Sequence, residues 1–206
     1  MNIFDVLIIG GGPAGLSCAL TLGSAGKKPF VADKKIGIFI HQSESGMNTA
    51  LFNNALGINP GTKGGDILLH GQKHLSDLYP QIQQISDEKV LKIDGKEGNF
   101  TVISEQNTYT AKQIVVAVTP SANFNIEGLL SYVAAHPKMP EAKKRIHLRN
   151  IDHVVAPGIF VAGVLAGHRS QFIIAAGSGA AVATDILSAW NEGNHTMVHD
   201  VLPADK

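Results

Sequence analysis

The sequence predicts an α/β protein with a mostly parallel β-sheet, helices on its faces and a small antiparallel β-meander. Three short runs are continuously apolar: residues 6–9, 114–118 and 159–162. They lack the alternation of polar and apolar residues that a half-exposed strand shows, and such continuous runs are typical of parallel strands buried on both faces. Apolar residues at helical spacing follow the first and last of these runs. With 206 residues and 44% hydrophobic content, the chain can bury one core.

The first predicted strand, residues 6–9, runs directly into the pattern Gly10-x-Gly12-x-x-Gly15, and the helix that follows is expected to stop at Gly26. In this pattern the first glycine permits a tight turn, the second lets backbone approach a pyrophosphate, and the third lets helix and strand pack closely. The helix N-terminus offers free N–H groups and a partial positive charge to the phosphates. The stretch therefore predicts a Rossmann-like sheet that binds a dinucleotide.

The same fingerprint requires an acidic residue about 20 positions further on, at the end of the second strand, to accept the ribose hydroxyls. We place the second strand at residues 28–32, and Asp33 follows it, 18 residues after Gly15. The cofactor-binding residues predicted from the glycine turn and the strands are Gly10, Gly12, Pro13, Ala14, Gly15, Asp33, Lys34, Val90 and Ala117.

The middle of the chain predicts one helix and the meander. The helix takes Asp66 as its N-cap and ends at Tyr79-Pro80. The meander strands are expected at 89–93, Asn99–Ser104 and 108–111, with turns at 94–95 and 105–107, and a separate parallel strand at 113–118.

The C-terminal part of the chain predicts the end of a single domain that covers residues 1–190. Residues 119–151 contain three prolines and little periodicity, which indicates a connector. The last parallel strand follows at 159–162, and a helix rich in small residues at Phe172–Trp190. Residues 191–206 are expected to form a polar, frayed tail.

Charge and composition argue against two kinds of partner. The formal net charge is zero, so the basic footprint of a nucleic-acid binder is missing. No apolar run approaches the roughly 18 residues of a membrane span, and the N-terminus reads as a strand and not as a signal peptide. Cys18 is the single cysteine, and burial against the sheet fits it better than a nucleophilic role. We expect a cytoplasmic protein.

Three blocks of this sequence resemble the FAD-binding domain of the thioredoxin-reductase-like pyridine nucleotide-disulphide oxidoreductases: residues 5–33, 54–80 and 156–181. The resemblance implies FAD as the cofactor. It also implies that Gly163 and Val164 lie where a strand end meets the flavin ribitol, and that Gln171, Phe172 and Ile173 lie at the pyrimidine edge of the flavin. A helix N-terminus at that edge would stabilise negative charge on reduced flavin.

The chain departs from the family in three ways. Where the family inserts an NAD(P)H-binding domain, this sequence has only about 30 residues, roughly the length of one βαβ unit, and it has no second glycine pattern. It also lacks the Cys-x-x-Cys pair that carries disulphide chemistry in the family. Val164 stands where the family has an aspartate, and the loss of that hydrogen bond could weaken FAD binding by about 1.5–3 kcal/mol.

Several polar residues permit more than one interpretation. His70 and His74 have a metal-ligand spacing but no intervening acidic partner, so we expect a solvated helix face. His168 and Arg169 precede the block assigned to the flavin edge. Either an exposed loop or a contact of Arg169 with the pyrophosphate or flavin fits them. Residues 43–48 are expected to form a polar loop that covers FAD.

The leading functional hypothesis is a flavin-dependent oxidoreductase that lacks its own nicotinamide domain and is not a working thioredoxin reductase by itself. Its electrons would come from diffusing NAD(P)H, from a partner protein or from the substrate, and an electron-donor or acceptor protein is a candidate partner. The alternatives are a non-catalytic flavin-binding redox sensor or interaction subunit, and an NAD-binding domain. Residues 157–181 favour FAD over NAD. Family members are commonly dimers, so a homodimer is a candidate assembly.

Overall fold

The computed structural model describes residues 3–41 and 45–199. These residues form twelve β-strands and three α-helices. The strands are β1 (Ile3–Ile9), β2 (Ile36–Ile40), β3 (Leu51–Phe52), β4 (Thr62–Lys63), β5 (Gln83–Ser86), β6 (Val90–Lys96), β7 (Asn99–Ser104), β8 (Thr108–Val116), β9 (Val133–Ala135), β10 (Ile146–Leu148), β11 (Val154–Ala156) and β12 (Ile159–Val161). The helices are α1 (Pro13–Ser24), α2 (Gly64–Leu78) and α3 (Phe172–Trp190).

The main sheet has the strand order β11-β12-β8-β1-β2-β5, and all neighbours from β12 to β5 are parallel. The β11 strand is an antiparallel edge, and the β6–β7 hairpin pairs antiparallel with the first part of β8. Two separate antiparallel pairs, β3–β4 and β9–β10, lie outside this sheet. The architecture confirms the predicted fold class, a Rossmann-like parallel sheet with a small antiparallel meander.

The central strand β1 divides the core into two layers. Val6 and Ile8 are buried among side chains of the helices, whereas Leu7 and Ile9 are buried among those of β6, β7 and β8. This two-sided burial explains why the strand reads as one continuous apolar run. Parallel strands place their carboxyl ends at one edge, so the turn after β1 lies at the edge where ligands bind in open α/β sheets.

The second strand lies later in the sequence than predicted. Residues 28–32 form successive turns. The backbone N–H groups of Lys28, Val31 and Lys34 each donate to the carbonyl oxygen of the residue three positions earlier. The strand is β2, Ile36–Ile40, and all five of its residues are buried. The physical reason is that Pro29 cannot donate to a central ladder, whereas the run after Lys35 can bury every side chain.

Helix ends also differ in detail from the prediction. The helix α2 begins two residues before Asp66, which lies in its first turn, and Lys63 is the N-cap. It ends at the predicted place, with Tyr79 as the C-cap. The helix α1 ends at Ser24 with Ala25 as its C-cap, so the predicted stop residue Gly26 lies directly after the cap.

The predicted meander exists, but its turns and strands are divided differently. The β6–β7 turn is at residues 97–98, where Gly98 takes a φ of +83°. The predicted turn at 94–95 is instead part of β6. The two predicted strands at 108–111 and 113–118 are one strand, β8, because its first part pairs antiparallel with β7 while its second part joins the parallel sheet.

The C-terminal helix α3 has the predicted bounds. By length and composition alone, α3 would suit a membrane span. The sequence analysis expected no segment of this kind, because it considered only uninterrupted apolar runs. One face, including Val182, Ala183, Ile186 and Leu187, is fully buried in the helical layer of the core. The tail after α3 is not frayed where described, because Thr196 is buried and its N–H donates to Ser188. Residues 42–44 of the predicted cofactor-covering loop and 200–206 of the tail lie outside the described residues.

Residues 119–151, the predicted connector, contain the β9–β10 hairpin and two short 3-10 helices, Leu130–Tyr132 and Glu141–Lys143. The strands β5 and β11 were not predicted from the sequence. Both are short, and β11 lies at the sheet edge. The hairpin packs beside a third 3-10 helix, Gly163–Ala166, which follows β12.

Candidate nucleotide-binding site

A cavity of about 220 Å³ lies at the carboxyl ends of β1, β2 and β8. Its wall is formed by the glycine turn, the end of β2, the start of β6 and the segment after β8. The lining residues are Ile9, Gly10, Gly11, Gly12, Phe39, His41, Ser45, Glu88, Lys89, Val90, Ala117, Val118, Thr119, Ser121, Asn123, Phe124, Asn125 and Ile126. Ligand pockets usually measure about 300–1,000 Å³, so this cavity can enclose one part of a dinucleotide.

The three fingerprint glycines have different surroundings. Gly10 has a φ of +117°, and a Cβ there would meet the carbonyl oxygen of Ala117 at 2.6 Å. A Cβ on Gly15 would lie 1.8 Å from the carbonyl oxygen of Gly10. A Cβ on Gly12 would meet nothing within 4 Å. Two glycines are therefore required by packing, while the middle one borders open space in the cavity wall.

The N-terminus of α1 opens beside this space. Gly12 is the N-cap, no side chain caps the helix, and Pro13 occupies the first turn. The first-turn N–H groups of Ala14 and Gly15 have no intrahelical acceptor. Open space, free amides and the positive end of the helix dipole together form a cradle that fits a pyrophosphate.

The end of β2 supplies a histidine to this cavity. Ile9 pairs with Phe39, and the N–H of Gly10 donates to the carbonyl of Phe39 at 3.1 Å. His41 follows two residues later and lines the cavity. The sequence analysis missed His41. The signal that could have found it is the apolar run of β2 that ends just before it.

Asp33 and Lys34 do not lie at this site. Both precede β2, at the amino-terminal edge of the sheet, because the strand starts later than predicted. Asp33 is exposed. The ammonium of Lys34 lies 3.9 Å from Asp5 and 5.4 Å from the ring centre of Trp190. Asp33 therefore does not lie at the position after β2 that the fingerprint assigns to the ribose acceptor. Val90 and Ala117 do line the cavity.

A buried carboxylate, Glu88, forms part of the cavity wall. It accepts hydrogen bonds from Ser104, from the Asn107 amide at 2.8 Å and from the Tyr109 hydroxyl at 2.8 Å. Burial acts to raise the pKa of Glu88, but the bonds from Ser104, Tyr109 and Asn107 outweigh it and hold that pKa below its ordinary value. Burial and the bond to Glu88 raise the pKa of Tyr109 to about 12. No local sequence signal marks this network, because its members come from separate strands and turns.

The residues assigned to the flavin end lie around the N-termini of α1 and α3. The N–H of Gly163 donates to the Ser178 hydroxyl at 2.8 Å, and a Cβ on Gly163 would lie 3.0 Å from that of Ala14. The Val164 carbonyl accepts from His136 at 3.0 Å. Gly163 thus lies against the start of α1, whereas Val164 does not line the cavity.

The N-terminus of α3 is set apart from this cavity. Gln171 is the exposed N-cap. The Phe172 ring packs on Phe52 with centroids 5.3 Å apart, and Ile173 is 46% exposed. None of Gln171, Phe172 and Ile173 is among the cavity-lining residues.

Histidines and the cysteine outside the cavity show no catalytic arrangement. Cys18 is fully buried, and burial raises its pKa to about 12, which confirms the structural interpretation. His70 and His74 are exposed, and the described residues contain no cluster of three or more metal-ligating side chains.

The pair His168–Arg169 lies in a loop between the 3-10 helix Gly163–Ala166 and α3. The His168 Nε2 lies 3.5 Å from that of His153, and burial followed by the charge of His153 lowers the pKa of His168. Arg169 is exposed and makes no ion pair within the described parts of the chain.

A parallel sheet whose first turn opens as a glycine cradle beside a cavity defines a dinucleotide-binding α/β protein. Comparison with known families makes this more specific. Residues 4–178 match the pyridine nucleotide-disulphide oxidoreductase family, and the chain belongs to that family. Among curated proteins, no sequence matches this chain.

Solved structures share the fold. An oxidoreductase from Agrobacterium tumefaciens superposes with a TM-score of 0.70 at 16% identity, covering 94% of this chain and 100% of its own. A ferredoxin-flavin thioredoxin reductase from Clostridium acetobutylicum gives 0.67 at 16% identity, covering 92% and 99%. A thioredoxin reductase from Gloeobacter violaceus gives 0.67 at 14% identity, covering 98% of both chains. These identities support the fold and not a shared activity.

Proposed function

We propose that this chain binds FAD and works as a flavin-dependent oxidoreductase. The observation that carries the proposal is the open space at Gly12, between the N-terminus of α1 and the cavity. Family membership supports a redox role. The similarity to a ferredoxin-flavin thioredoxin reductase supports a flavin over other dinucleotides.

The residues of the cradle have separable tasks in this proposal. The first-turn amides of α1 bind the pyrophosphate, and Gly12 keeps side-chain atoms out of its path. Val90 and Ala117 give the adenosine half an apolar wall. Glu88 keeps that wall rigid because its carboxylate is held by three donors. FAD, when bound, supplies the hydride and electron transfer that side chains cannot perform.

The source of electrons follows from what the sequence contains. A single cysteine cannot form the Cys-x-x-Cys pair needed to pass electrons to a disulphide. With one glycine fingerprint in its single domain, the chain is not a thioredoxin reductase by itself. Its electrons then come from diffusing NAD(P)H, from the substrate or from a donor protein in a cytoplasmic setting, and a homodimer remains the proposed assembly.

The visible absorption spectrum of the purified chain, after incubation with FAD and gel filtration, tests the proposal. We expect the two absorption bands of oxidised protein-bound flavin, with about one FAD per chain. A colourless protein that retains no FAD would overturn it.

Two observations favour a second candidate, a dinucleotide-binding protein without flavin chemistry. The Phe52–Phe172 contact fills space at the N-terminus of α3, and Val164 replaces the family's aspartate. The two candidates differ in redox behaviour. The oxidoreductase predicts that bound flavin is reduced and reoxidised with a suitable partner, whereas the second candidate predicts binding without turnover.

A further inference from the structure

We propose that His153 and His168 bind a divalent transition-metal ion such as Zn²⁺ between their Nε2 atoms. His153 lies in the turn between β10 and β11, and His168 lies in the loop before α3. Neither histidine lines the nucleotide cavity, so the inference does not rest on FAD binding. The ligand class is a first-row divalent cation that prefers imidazole nitrogen to oxygen.

The separation of the two nitrogens suits a metal ion better than a hydrogen bond. The Nε2 atoms lie 3.5 Å apart while the ring centroids lie 5.1 Å apart, so the nitrogens face each other. Hydrogen bonds donated by N–H groups usually measure about 2.7–3.2 Å. Two nitrogens bound to a tetrahedral zinc ion at about 2.0–2.1 Å lie about 3.3–3.4 Å from each other. A small closing movement would therefore bring both imidazoles onto one ion.

The other ring nitrogen of His153 fixes its tautomer. Its Nδ1 lies 2.8 Å from the carbonyl oxygen of Val161. Because a carbonyl only accepts, Nδ1 carries the proton of the neutral ring, and the lone pair of Nε2 is directed toward His168. Histidines that bind metals almost always donate their second N–H in this way. Val161 is fully buried, and its own N–H donates to the His153 carbonyl at 2.8 Å, so the imidazole is anchored to β12.

The turn that carries His153 is held in an uncommon conformation. Asp152 and His153 have φ values of +44° and +70°, in the left-handed region that residues other than glycine rarely adopt. Ile151 and Val154 exchange backbone hydrogen bonds of 3.0 and 2.8 Å across these two residues. Such conformations persist where the surrounding structure fixes them, and they cluster at ligand sites. The turn therefore places the His153 ring at one position.

The loop before α3 holds His168 opposite. Gly167 has a φ of +92°, and its N–H donates to the carbonyl of Val164 at 2.9 Å. Burial, followed by the charge of His153, lowers the pKa of His168, so its ring is mostly neutral at pH 7 and keeps a lone pair for a metal. Both rings are partly exposed, which gives an ion access from solvent.

Charges of both signs surround the pair. The charge of Lys138 contributes to the lowered pKa of His168 and opposes a cation. On the other side, partial burial raises the pKa of Asp185, the charge of His153 acts against this, and the charge of Asp152 adds to it. Asp152 and Asp185 are therefore near His153, and their carboxylates offset the repulsion that a metal ion meets from the lysine.

The remaining coordination positions are filled from outside the chain. His136 cannot serve, because its Nε2 lies 3.0 Å from the Val164 carbonyl and its Nδ1 accepts from the N–H of Lys138 at 3.2 Å. Residues 3–41 and 45–199 contain no group of three or more metal-ligating side chains. Two protein ligands leave two tetrahedral positions for water or another molecule. We therefore expect an exchangeable ion and not one that the fold requires.

Calorimetric titration of the full chain with ZnCl₂, and separately with MgCl₂, tests the proposal. We expect Zn²⁺ to bind with a dissociation constant below about 100 μM. Mg²⁺ should not bind at the same concentrations, because it prefers oxygen ligands. Weaker Zn²⁺ binding, or equal binding of the two cations, would overturn the proposal.

Three variants locate the ion. His153→Gln and His168→Gln should each weaken Zn²⁺ binding about tenfold or more, since even the loss of an outer-shell partner costs about 10–100-fold. His70→Gln is the matched control. It removes a histidine from the exposed His70–His74 pair on α2 and should leave the affinity unchanged. Wild-type affinity in both His153→Gln and His168→Gln would show that the ion is not held by these imidazoles.

Nitrogen NMR of the wild-type protein keeps the test valid if a variant does not fold. The chain has nine histidines, and Zn²⁺ should shift the Nε2 resonances of two of them. A titration in which no histidine resonance shifts would contradict the proposal. A parallel titration with FAD separates this inference from the proposed function, because Zn²⁺ binding without FAD binding overturns only the flavin assignment, and FAD binding without Zn²⁺ binding overturns only the metal site.

Discussion

The N–H of Gly10 donates to the carbonyl of Phe39 at 3.1 Å, and this bond ties the glycine turn to the end of β2. A Cβ on Gly10 would lie 2.6 Å from the carbonyl oxygen of Ala117, so Gly10 also lies close to the segment after β8, and three strand ends meet around one residue. The geometry of the whole site depends on this junction. It also decides which residue of β2 faces the cavity.

Gly12 and Gly15 should respond differently to alanine. A Cβ on Gly15 lies 1.8 Å from the Gly10 carbonyl oxygen, so Gly15→Ala must displace backbone at the junction. We expect a loss of about 3 kcal/mol in the free energy of unfolding. Gly12→Ala meets open space and should cost at most about 1 kcal/mol, as an N-cap change. Urea denaturation of both variants measures this, and equal losses would contradict the distinction.

Glu88→Gln should destabilise the protein in a pH-dependent way. The folded-state pKa of Glu88 lies below its ordinary value of 4.5, so the ionised side chain stabilises the fold above that pH. The stabilisation is lost as the pH falls through the folded-state pKa. The amide of glutamine cannot accept all three donors, and we expect a loss of about 1–3 kcal/mol at pH 7.

The pH series supplies the control for that variant. The difference between the wild type and Glu88→Gln should shrink as the pH falls from 4.5 through the lower folded-state pKa of Glu88, because the wild-type carboxylate then becomes protonated. Glu105→Gln, at an exposed position in the adjacent turn, should have no comparable effect. A loss that is the same at pH 7 and pH 3 would mean that the ionised carboxylate is not the stabilising group.

Val164→Asp should strengthen FAD retention. Val164 stands where the family has an aspartate, and its backbone is already fixed by the hydrogen bond from His136 to its carbonyl. One restored hydrogen bond to the ribitol would improve affinity about tenfold. The FAD content after gel filtration, compared with that of Val164→Asn, measures it. Unchanged or lower retention would show that the segment after β12 does not approach the flavin.

Reduction of bound flavin by NADPH alone should be slow. Productive hydride transfer requires a nicotinamide held against the flavin, and such positioning can contribute about 7–11 kcal/mol toward the barrier. Anaerobic stopped-flow absorbance measures the rate. Saturable reduction at about 1–1,000 per second, typical of working enzymes, would contradict this prediction.

Local patterns in the sequence predicted the elements whose causes are local. Strand β1 was found from its continuous apolar run, the glycine turn from its glycine spacing, and α3 from the helical spacing of its apolar residues. Each of these signals lies within one short stretch of the sequence. The position of β2 was missed because 28–32 and 36–40 are both apolar, and only pairing with β1 decides between them. The Asp33 assignment failed with it.

The Glu88 network could not have been predicted. Its donors, Ser104, Asn107 and Tyr109, reach the carboxylate only after β6, β7 and β8 have paired. The same holds for β8, whose sequence predicted two strands. Its first part pairs with β7 and its last part pairs with β12. Long-range pairing is the missing information in each case.

The central claim is that FAD binds with its pyrophosphate at Gly12, and calorimetric titration with FAD of the wild type and of Gly12→Val tests it most directly. The added side chain enters space that nothing else occupies, so the fold should survive while the phosphates are blocked. We predict one FAD per wild-type chain and a loss of affinity of about 100-fold or more in a folded Gly12→Val protein. Wild-type affinity in that variant would contradict the claim.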